Sequence, residues 1–288
     1  MTLRLLVSLD PVRGVSVLRD SLQEEYRRTF ASASAVRTYL IQLHGMNLRT
    51  MTCVYEPAVL HHVRALQSEF PWDIIPIVPN MDRYSRFLQN FGSVGSAIRL
   101  LRELAPGDYP ALGLRALSVL AERRGTLFST LISLLAAYDM TQFRHFRPKL
   151  ALLHSAVTDV LLANGHTAML RQIIQLIGKH YGVSAGLSTE NVGVLLQVVE
   201  EQALRVSAIA GPLNRSGYRV KPSLEECLSR LRRTRATIYA TLPSPDRAPS
   251  LDQLEFLRRI GVAGAVVELP DARNALHVLE AAGSLRGY

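Results

Sequence analysis

Short apolar segments alternate with amphipathic helical segments through the second half of the chain. Five such pairs follow one another. Their apolar segments end near Leu153, Leu187, Leu213, Leu242 and Leu269, and successive ends are 34, 26, 29 and 27 residues apart. Almost continuously apolar strands at this spacing are typical of a parallel sheet that is buried on both faces. The second half therefore predicts five consecutive βα units.

The first half continues this pattern with longer connections. Apolar segments at 3–9, 48–56 and 72–80 predict three further strands. Amphipathic segments at 18–29 and 58–69 predict helices between them. The whole chain thus predicts eight strands with helices between them.

A long helical segment at about 91–146 separates the third and fourth predicted strands. Eight βα units form a closed (β/α)8 TIM-type barrel, which takes about 250 residues before insertions. An open doubly wound sheet would need a G-x-G-x-x-G fingerprint after the first strand, whereas "DPVRGVS" has a single glycine. We predict an α/β fold in which one barrel domain spans residues 1–288 and carries a helical insertion at about 91–146.

The charge of the chain narrows the classes of partner. The net charge is +9, yet only Lys149, Lys179 and Lys221 are lysines. Many arginines lie where helices should end, and cations there stabilise the helix dipole. No basic segment with interleaved aromatic residues stands out, so we predict no specific nucleic-acid binding. A general preference for anionic small molecules is still expected.

Hydrophobicity and cysteine spacing set the expected location. No segment reaches the roughly 18 apolar residues of a membrane span, and the first apolar run is too short for a secretory signal. Cys53 and Cys227 do not have the spacing of a metal site or a disulfide framework. We predict a soluble cytoplasmic protein without a membrane partner, and a homo-oligomer is left open.

A histidine follows the fourth predicted strand, in the segment "PKLALLHSAVTD". In a (β/α)8 barrel the active site lies where the carboxyl ends of the strands meet. His154 lies at such an end, and an imidazole titrates near neutral pH, which suits a general acid or base. Ser155, Thr158 and Asp159 can each cap the helix that follows. We therefore expect the imidazole of His154 to be left available for the cavity.

Two glutamates at strand ends are candidate partners of this histidine. Glu56 follows the second strand and Glu190 follows the fifth. We predict that His154 is the catalytic acid or base and that Glu56 or Glu190 orients or assists it. An alternative for Glu56 is to stabilise the N-terminus of the helix that begins in "EPAVLHHV".

Further polar residues at the strand ends are candidate ligands for a substrate. They are Asp10, Asn80, Asn191, Asn214 and Tyr218. Either Asn191 or Thr189 must cap the helix after the fifth strand, and Asn80 and Asn214 also suit turns. Structural roles for the three asparagines therefore stay open.

No metal site and no cofactor are predicted. His61 and His62 are adjacent and would point in different directions on a helix. Lys221 lies seven residues beyond Asn214, away from the strand on which a Schiff-base lysine would be expected. The loops "LPSPDRAPS" and "LPDARN" after the last two strands contain no glycine, so they do not predict the phosphate site common in barrels.

The segments "GLSTEN", "GPLNRSGY", "TLPSP" and "LDQLEFLRRIGVAGAVVEL" follow one another within residues 151–279. In this order they resemble the back half of aldolase-type barrels and are distantly similar to the aldo-keto reductases. The catalytic Asp, Tyr, Lys and His set of that family is not found, because no lysine ends a strand and Tyr55 lacks the expected companions. The resemblance implies the barrel and not the hydride chemistry.

These observations favour a barrel enzyme that performs acid–base chemistry on a small polar, anionic or sugar-like substrate, as a lyase, isomerase or hydrolase. One alternative is a nicotinamide-dependent oxidoreductase of the aldo-keto reductase type. Another is a non-catalytic barrel whose helical insertion mediates binding or assembly.

Overall fold

Eight parallel β-strands form a closed barrel in the computed structural model, which describes residues 3–15, 20–103, 127–242 and 250–269. The strands are β1 (Arg4–Ser8), β2 (Thr50–Val54), β3 (Asp73–Val78), β4 (Leu150–Leu153), β5 (Ser184–Ser188), β6 (Ala208–Pro212), β7 (Thr237–Thr241) and β8 (Gly264–Glu268). Each strand pairs with the next along the chain, and β8 pairs with β1 to close the ring. The predicted (β/α)8 barrel is confirmed.

Helices connect the strands. The described residues contain α1 (Asp20–Thr29), α2 (Ala33–Gly45), α3 (Pro57–Leu66), α4 (Met81–Glu103), α5 (Leu127–Phe143), α6 (Ser155–Ala163), α7 (Thr167–Tyr181), α8 (Val192–Glu201), α9 (Leu224–Leu231) and α10 (Leu251–Ile260). Short 3-10 helices lie at Pro11–Arg13 and Arg144–Phe146. Across the described ranges, no helix is both long and apolar enough to cross a membrane. The helix predicted after the eighth strand lies outside the described residues.

Two connections hold more helices than the sequence patterns predicted. After β1, α1 is followed by α2, whose N-cap Ser32 accepts a hydrogen bond from the backbone N–H of Ala35. After β4, the single helix expected from the pattern is two helices, α6 and α7. Gly165 separates them with a φ of 68°, a left-handed conformation that glycine adopts without steric cost.

The connection between β3 and β4 contains α4 and α5. The first of these begins at Met81, directly after β3, so helical structure starts earlier than the predicted 91. Gly92 interrupts α4 with φ 62° and ψ −177°. Because 104–126 lie outside the described residues, the extent of the insertion at 91–146 and the single domain over 1–288 stay predictions.

Alternate residues of each strand pack on opposite sides of the barrel wall. One set, which includes Val7, Leu153 and Leu187, belongs to the large core between strands and helices. The other set fills the barrel itself: Leu6, Ile75, Leu152, Ala208, Ala210 and Val266. Gly186 of β5 belongs to this inner set, because a Cβ on it would lie 2.7 Å from Cδ2 of Leu152. The barrel is therefore a packed core, and only its ends can hold a ligand.

A buried carboxyl group joins α5 to the end of β3. Asp139 is fully buried, and its Oδ2 accepts a hydrogen bond of 2.7 Å from the backbone N–H of Asn80. The hydroxyl of Tyr84, in the first turn of α4, donates to Oδ1 of Asp139. Three elements thus meet at one side chain.

A second buried group, Arg83, strengthens this junction. Its Nη2 pairs with Oε2 of Glu103 at the other end of α4, and Glu103 also accepts a hydrogen bond of 3.0 Å from the hydroxyl of Tyr138. The guanidinium lies 4.7 Å from the ring centroid of Tyr55, which follows β2. A cation over an aromatic ring is stabilised by the ring's negative face. These contacts hold α4 and α5 against the carboxyl end of the barrel.

Burial raises the pKa of Asp139 from 3.8 to about 7, although the hydrogen bonds from Tyr84 and Asn80 oppose the shift. A carboxyl whose pKa is raised by folding stabilises the folded state when protonated and loses that contribution as the pH rises through its folded pKa. We expect Asp139 to reduce the free energy of unfolding by about 2–3 kcal/mol between about pH 5 and about pH 8. In Asp139→Asn, the free energy of unfolding should fall less between these two pH values than in the parent chain, by that amount.

Urea denaturation of both proteins at the two pH values measures this difference. An amide can accept from Asn80 through its oxygen and donate to Tyr84 through its nitrogen, so the variant retains both contacts. The exposed Asp252→Asn is the matched control and should follow the pH dependence of the parent chain. Identical pH profiles for Asp139→Asn and the parent would contradict the assignment.

Candidate active site

The carboxyl ends of the strands surround a cavity of about 350 Å³. This volume lies within the usual range for sites that bind small molecules. The charged residues that line it are Asp10, Arg13, Asp82, Glu190, Arg219 and Glu268. His154 also lines it. The strand ends therefore meet at a cavity, as expected. Asp10, Glu190 and His154 were predicted as site residues, whereas Arg13, Arg219, Asp82 and Glu268 were not.

The alternation of side chains along the strands decides which strand ends reach this cavity. Ser8, Ser188, Thr241 and Glu268 are the last residues of β1, β5, β7 and β8, and all line it. Each lies two residues beyond a strand residue on the inner side of the wall, as Ser8 does beyond Leu6. The inner set of side chains is thus apolar within the barrel and polar at its mouth.

His154 lies at the junction of β4 and α6. Its backbone N–H donates to the carbonyl of Val78 at 2.8 Å, which extends the pairing with β3. Its Nδ1 accepts a hydrogen bond of 3.1 Å from the backbone N–H of Ala156, so His154 is itself the N-cap of α6. The expectation that a following residue caps this helix was wrong. The extended backbone of His154, with φ −60° and ψ 141°, places its own ring over the first turn.

This capping bond fixes the tautomer of His154. Because Nδ1 accepts a hydrogen bond, the proton of the neutral ring must be on Nε2. No side chain or backbone group of the described ranges hydrogen-bonds Nε2. A neutral His154 therefore presents an N–H donor at the cavity that it lines.

Burial lowers the pKa of His154 below its ordinary 6.5, and Arg13 acts in the same direction. Asp82, Asp10 and Glu190 oppose this effect but do not reverse it. The N-terminus of a helix also disfavours a cation. His154 is therefore neutral at pH 7, and it acts as a hydrogen-bond donor rather than as an imidazolium.

Asp10 and Arg13 form a rigid pair after β1. The hydroxyl of Ser8 donates to Oδ2 of Asp10 at 2.9 Å, and Nη1 of Arg13 donates to Oδ1 at 2.7 Å. Burial by itself would lower the pKa of Arg13, but the neighbouring Asp10 outweighs it and raises that pKa. Both oxygens of Asp10 are thus occupied, and Arg13 remains charged in the wall of the cavity.

Glu190, which follows β5, is held in place by hydrogen bonds to its backbone and to its side chain. Its backbone N–H donates to Oδ2 of Asp159 at 2.8 Å, and the hydroxyl of Thr189 donates to the other oxygen of Asp159. Oε2 of Glu190 accepts a hydrogen bond of 2.9 Å from Nη1 of Arg219. Oε1 has no hydrogen-bond partner within the described ranges. One oxygen of Glu190 is therefore oriented by an arginine while the other is open.

Three asparagines predicted as substrate ligands do not line the cavity, because their side chains bind backbone groups. Asn80 is fully buried, donates to the carbonyl of Tyr55 at 2.8 Å and accepts from the N–H of Arg83. Asn191 caps α8, as the sequence allowed. Asn214 closes a turn by donating to the carbonyl of Tyr218 at 2.8 Å. A substrate-binding role for these three asparagines stays a prediction. The hydrogen bonds to the backbone argue against it, because they already use the side-chain amides.

Glu56 and Tyr218 also lie outside the cavity lining. Glu56 occupies the N-cap position of α3 without a capping bond from its side chain, which agrees with the helix-terminal alternative. Tyr218 is 58% exposed, and the guanidinium of Arg219 lies over its ring. Among the predicted site residues, the cavity brings together His154, Glu190 and Asp10.

Two arginines of the cavity were missed from the sequence. Arg13 follows Asp10 at a spacing of three residues in a short 3-10 turn, and Arg219 neighbours Tyr218 in the loop after β6. The available signal was that a cation within a few residues of a strand end can reach the same mouth as the strand end itself.

The described residues contain no group of three or more His, Cys, Asp or Glu side chains that could hold a metal ion. Cys53 and Cys227 are both buried and free. Burial raises the pKa of Cys227 to about 11, so its thiol remains protonated near neutral pH.

The chain is similar in structure to known barrels. A Pseudomonas aeruginosa protein assigned to the aldo-keto reductases superposes with a TM-score of 0.55 at 13% identity, over 98% of this chain and 90% of that one. A D-tagatose 3-epimerase-like protein superposes with a TM-score of 0.50 at 14% identity, over 98% of this chain and 96% of that one. At these identities the likeness concerns the fold, and the predicted resemblance to aldo-keto reductase barrels is confirmed at that level.

No model of a protein family matches the sequence, and no curated protein matches it.

The state of His154 can be tested by NMR of the histidine rings. We expect a pKa below 6.5 for His154. At pH values above this pKa, the neutral ring should be the tautomer with the proton on Nε2. Asp82 raises the pKa of His154, so Asp82→Asn should lower it further. Long-range ¹H–¹⁵N spectra, assigned with His154→Gln, report both the titration and the tautomer. A proton on Nδ1, or a pKa above 6.5, would contradict the capping geometry.

Proposed function

We propose that this protein is a barrel enzyme that transfers protons on a small, polar, sugar-like substrate. The observation that carries the proposal is the neutral N–H donor of His154, held by the start of α6 and lining the same cavity as carboxylates. The cavity of about 350 Å³ accommodates a molecule of this size. Similarity of fold to a D-tagatose 3-epimerase-like protein is compatible with a sugar-like substrate.

His154 serves as the electrophile in this proposal, as a hydrogen-bond donor that keeps its proton. Its Nε2–H donates a hydrogen bond to a carbonyl or leaving oxygen of the substrate, where negative charge develops during the reaction. A neutral imidazole can do this at pH 7 without first losing a proton. The bond from Ala156 fixes the ring in advance, so little reorganisation accompanies the reaction.

Glu190 serves as the proton acceptor. The bond from Arg219 orients its carboxylate and leaves Oε1 open. When a proton leaves the carbon next to a substrate carbonyl, the C–H electron pair forms a carbon–carbon double bond and the carbonyl oxygen becomes an enolate. The proton goes to Glu190, and His154 stabilises the enolate oxygen. Return of the proton from Glu190 to another position gives an isomerase. If instead the enolate re-forms its carbonyl and a group on the next carbon leaves with its bonding electron pair, a new carbon–carbon double bond forms and the enzyme is a lyase.

Exchange of hydrogen with heavy water tests this proposal without knowledge of the product. The protein is incubated in heavy water with aldoses, ketoses, hydroxy acids and keto acids, and ¹H NMR follows the loss of substrate C–H signals. We expect exchange for at least one compound class. His154→Gln and Glu190→Gln should each slow it by at least about 100-fold, which is the usual contribution of an oxyanion donor and of a general base respectively.

The surface substitutions His61→Gln and Glu69→Gln are the matched controls and should leave the exchange rate unchanged. Full exchange by both cavity variants would contradict the assigned roles. Turnover that depends on added NADPH would instead support the oxidoreductase alternative. Absence of exchange and of any turnover across the panel would favour a non-catalytic barrel.

A further inference from the structure

Arg13 is buried in the cavity wall with part of its hydrogen-bonding capacity unused. Its side chain is 3% exposed. Nη1 is bound to Asp10, whereas Nε and Nη2 are buried and have no hydrogen-bond partner among the residues that the structure describes. Buried donors of a charged group are normally satisfied, because leaving them unpaired costs stability. The unused donors of Arg13 therefore point to a ligand.

The two unused donors form one edge of the guanidinium. In the planar group, the hydrogens on Nε and Nη2 lie on the same side and point in parallel, away from the atom that Asp10 binds. Two parallel N–H groups match two oxygens of a carboxylate or phosphate, and such paired, charge-assisted hydrogen bonds are among the strong interactions of arginine. Asp10, itself held by the hydroxyl of Ser8, binds the other side of the guanidinium and keeps it in place. The edge is thus oriented before any ligand arrives.

We propose that this edge of Arg13 binds the carboxylate of a small hydroxy or keto acid, with the hydroxyl or carbonyl carbon towards His154. The proposal rests on the proposed function, because it names the substrate class of the same cavity. His154 and Arg13 both line that cavity, and the charge of Arg13 is close enough to lower the pKa of His154. The acid would span the two groups.

The charge of the cavity favours a carboxylate over a phosphate. Among the described residues that line it, Asp10, Asp82, Glu190 and Glu268 face only two guanidiniums. A singly charged group meets less repulsion there than a doubly charged phosphate. A carboxylate also has only two oxygens, which the two donors of Arg13 satisfy.

Asp82 is the group that competes for this edge. Its Oδ2 lies 3.7 Å from Nη2 of Arg13, which is an ion pair beyond hydrogen-bond distance, and its side chain is 55% exposed. It can therefore turn towards solvent when another anion binds Arg13. Replacement of Asp82 by Asn removes the competing charge and should strengthen binding of an acid.

The Nε–H signal of Arg13 in ¹H–¹⁵N spectra reports binding directly. Three acids are titrated beside the alcohols that lack their carboxylate: lactate with propylene glycol, glycerate with glycerol, and gluconate with glucitol. Inorganic phosphate is the fourth anion. We expect at least one acid to shift the signal to saturation, whereas its alcohol and phosphate leave the signal in place.

Two variants extend the test. Arg13→Lys should weaken binding of the acid by about tenfold or more, because a single ammonium cannot make the paired bonds. Asp82→Asn should strengthen it by about threefold or more. The parent chain and Asp82→Asn suffice for the test if Arg13→Lys does not fold.

Three results would overturn the inference: no acid shifts the signal, an alcohol shifts it as its acid does, or phosphate alone binds. The titration needs no turnover, so its outcome is separate from that of hydrogen exchange. Binding of an acid without exchange would retain this inference and reject the proposed function. Exchange on neutral sugars without binding of any acid would do the reverse.

Discussion

The pairing of β8 with β1 is the constraint on which the rest of the structure depends. Five residues of each strand align in register, from Arg4 with Gly264 to Ser8 with Glu268. Because the ring is closed and every strand is parallel, all carboxyl ends lie at one mouth. Closure of the barrel alone thus brings residues from distant parts of the chain to one cavity, whatever the conformation of the loops.

The first turn of α6 orients the histidine that lines the mouth of the barrel. Nδ1 of His154 accepts a hydrogen bond from the first turn of α6, and this bond determines that the neutral ring carries its proton on Nε2. The loop after β1 makes a comparable arrangement, in which Asp10 binds one side of Arg13 and the other side has no hydrogen-bond partner among the described residues. In both places a hydrogen bond at one end of a side chain fixes the orientation of the donors at its other end.

The fold was predictable from the sequence because apolar strands and amphipathic helices repeat at a regular spacing. The site was only partly predictable. His154, Glu190 and Asp10 lie at strand ends and reach the cavity. Asn80 lies equally close to a strand end, but its side chain binds the backbone around β2 and α4. Arg13 follows the end of β1 closely enough to be a candidate from the sequence, but its unsatisfied donors exist only once the loop is packed.

A crystal structure of the protein with a bound hydroxy acid, such as glycerate, tests the central claim most directly. The claim is that Arg13 and His154 act on one ligand at the barrel mouth. The predicted result is a carboxylate with one oxygen on Nε and the other on Nη2 of Arg13, and a hydroxyl oxygen within hydrogen-bond distance of Nε2 of His154. An acid bound elsewhere, or held in the mouth without contact to either residue, would contradict it.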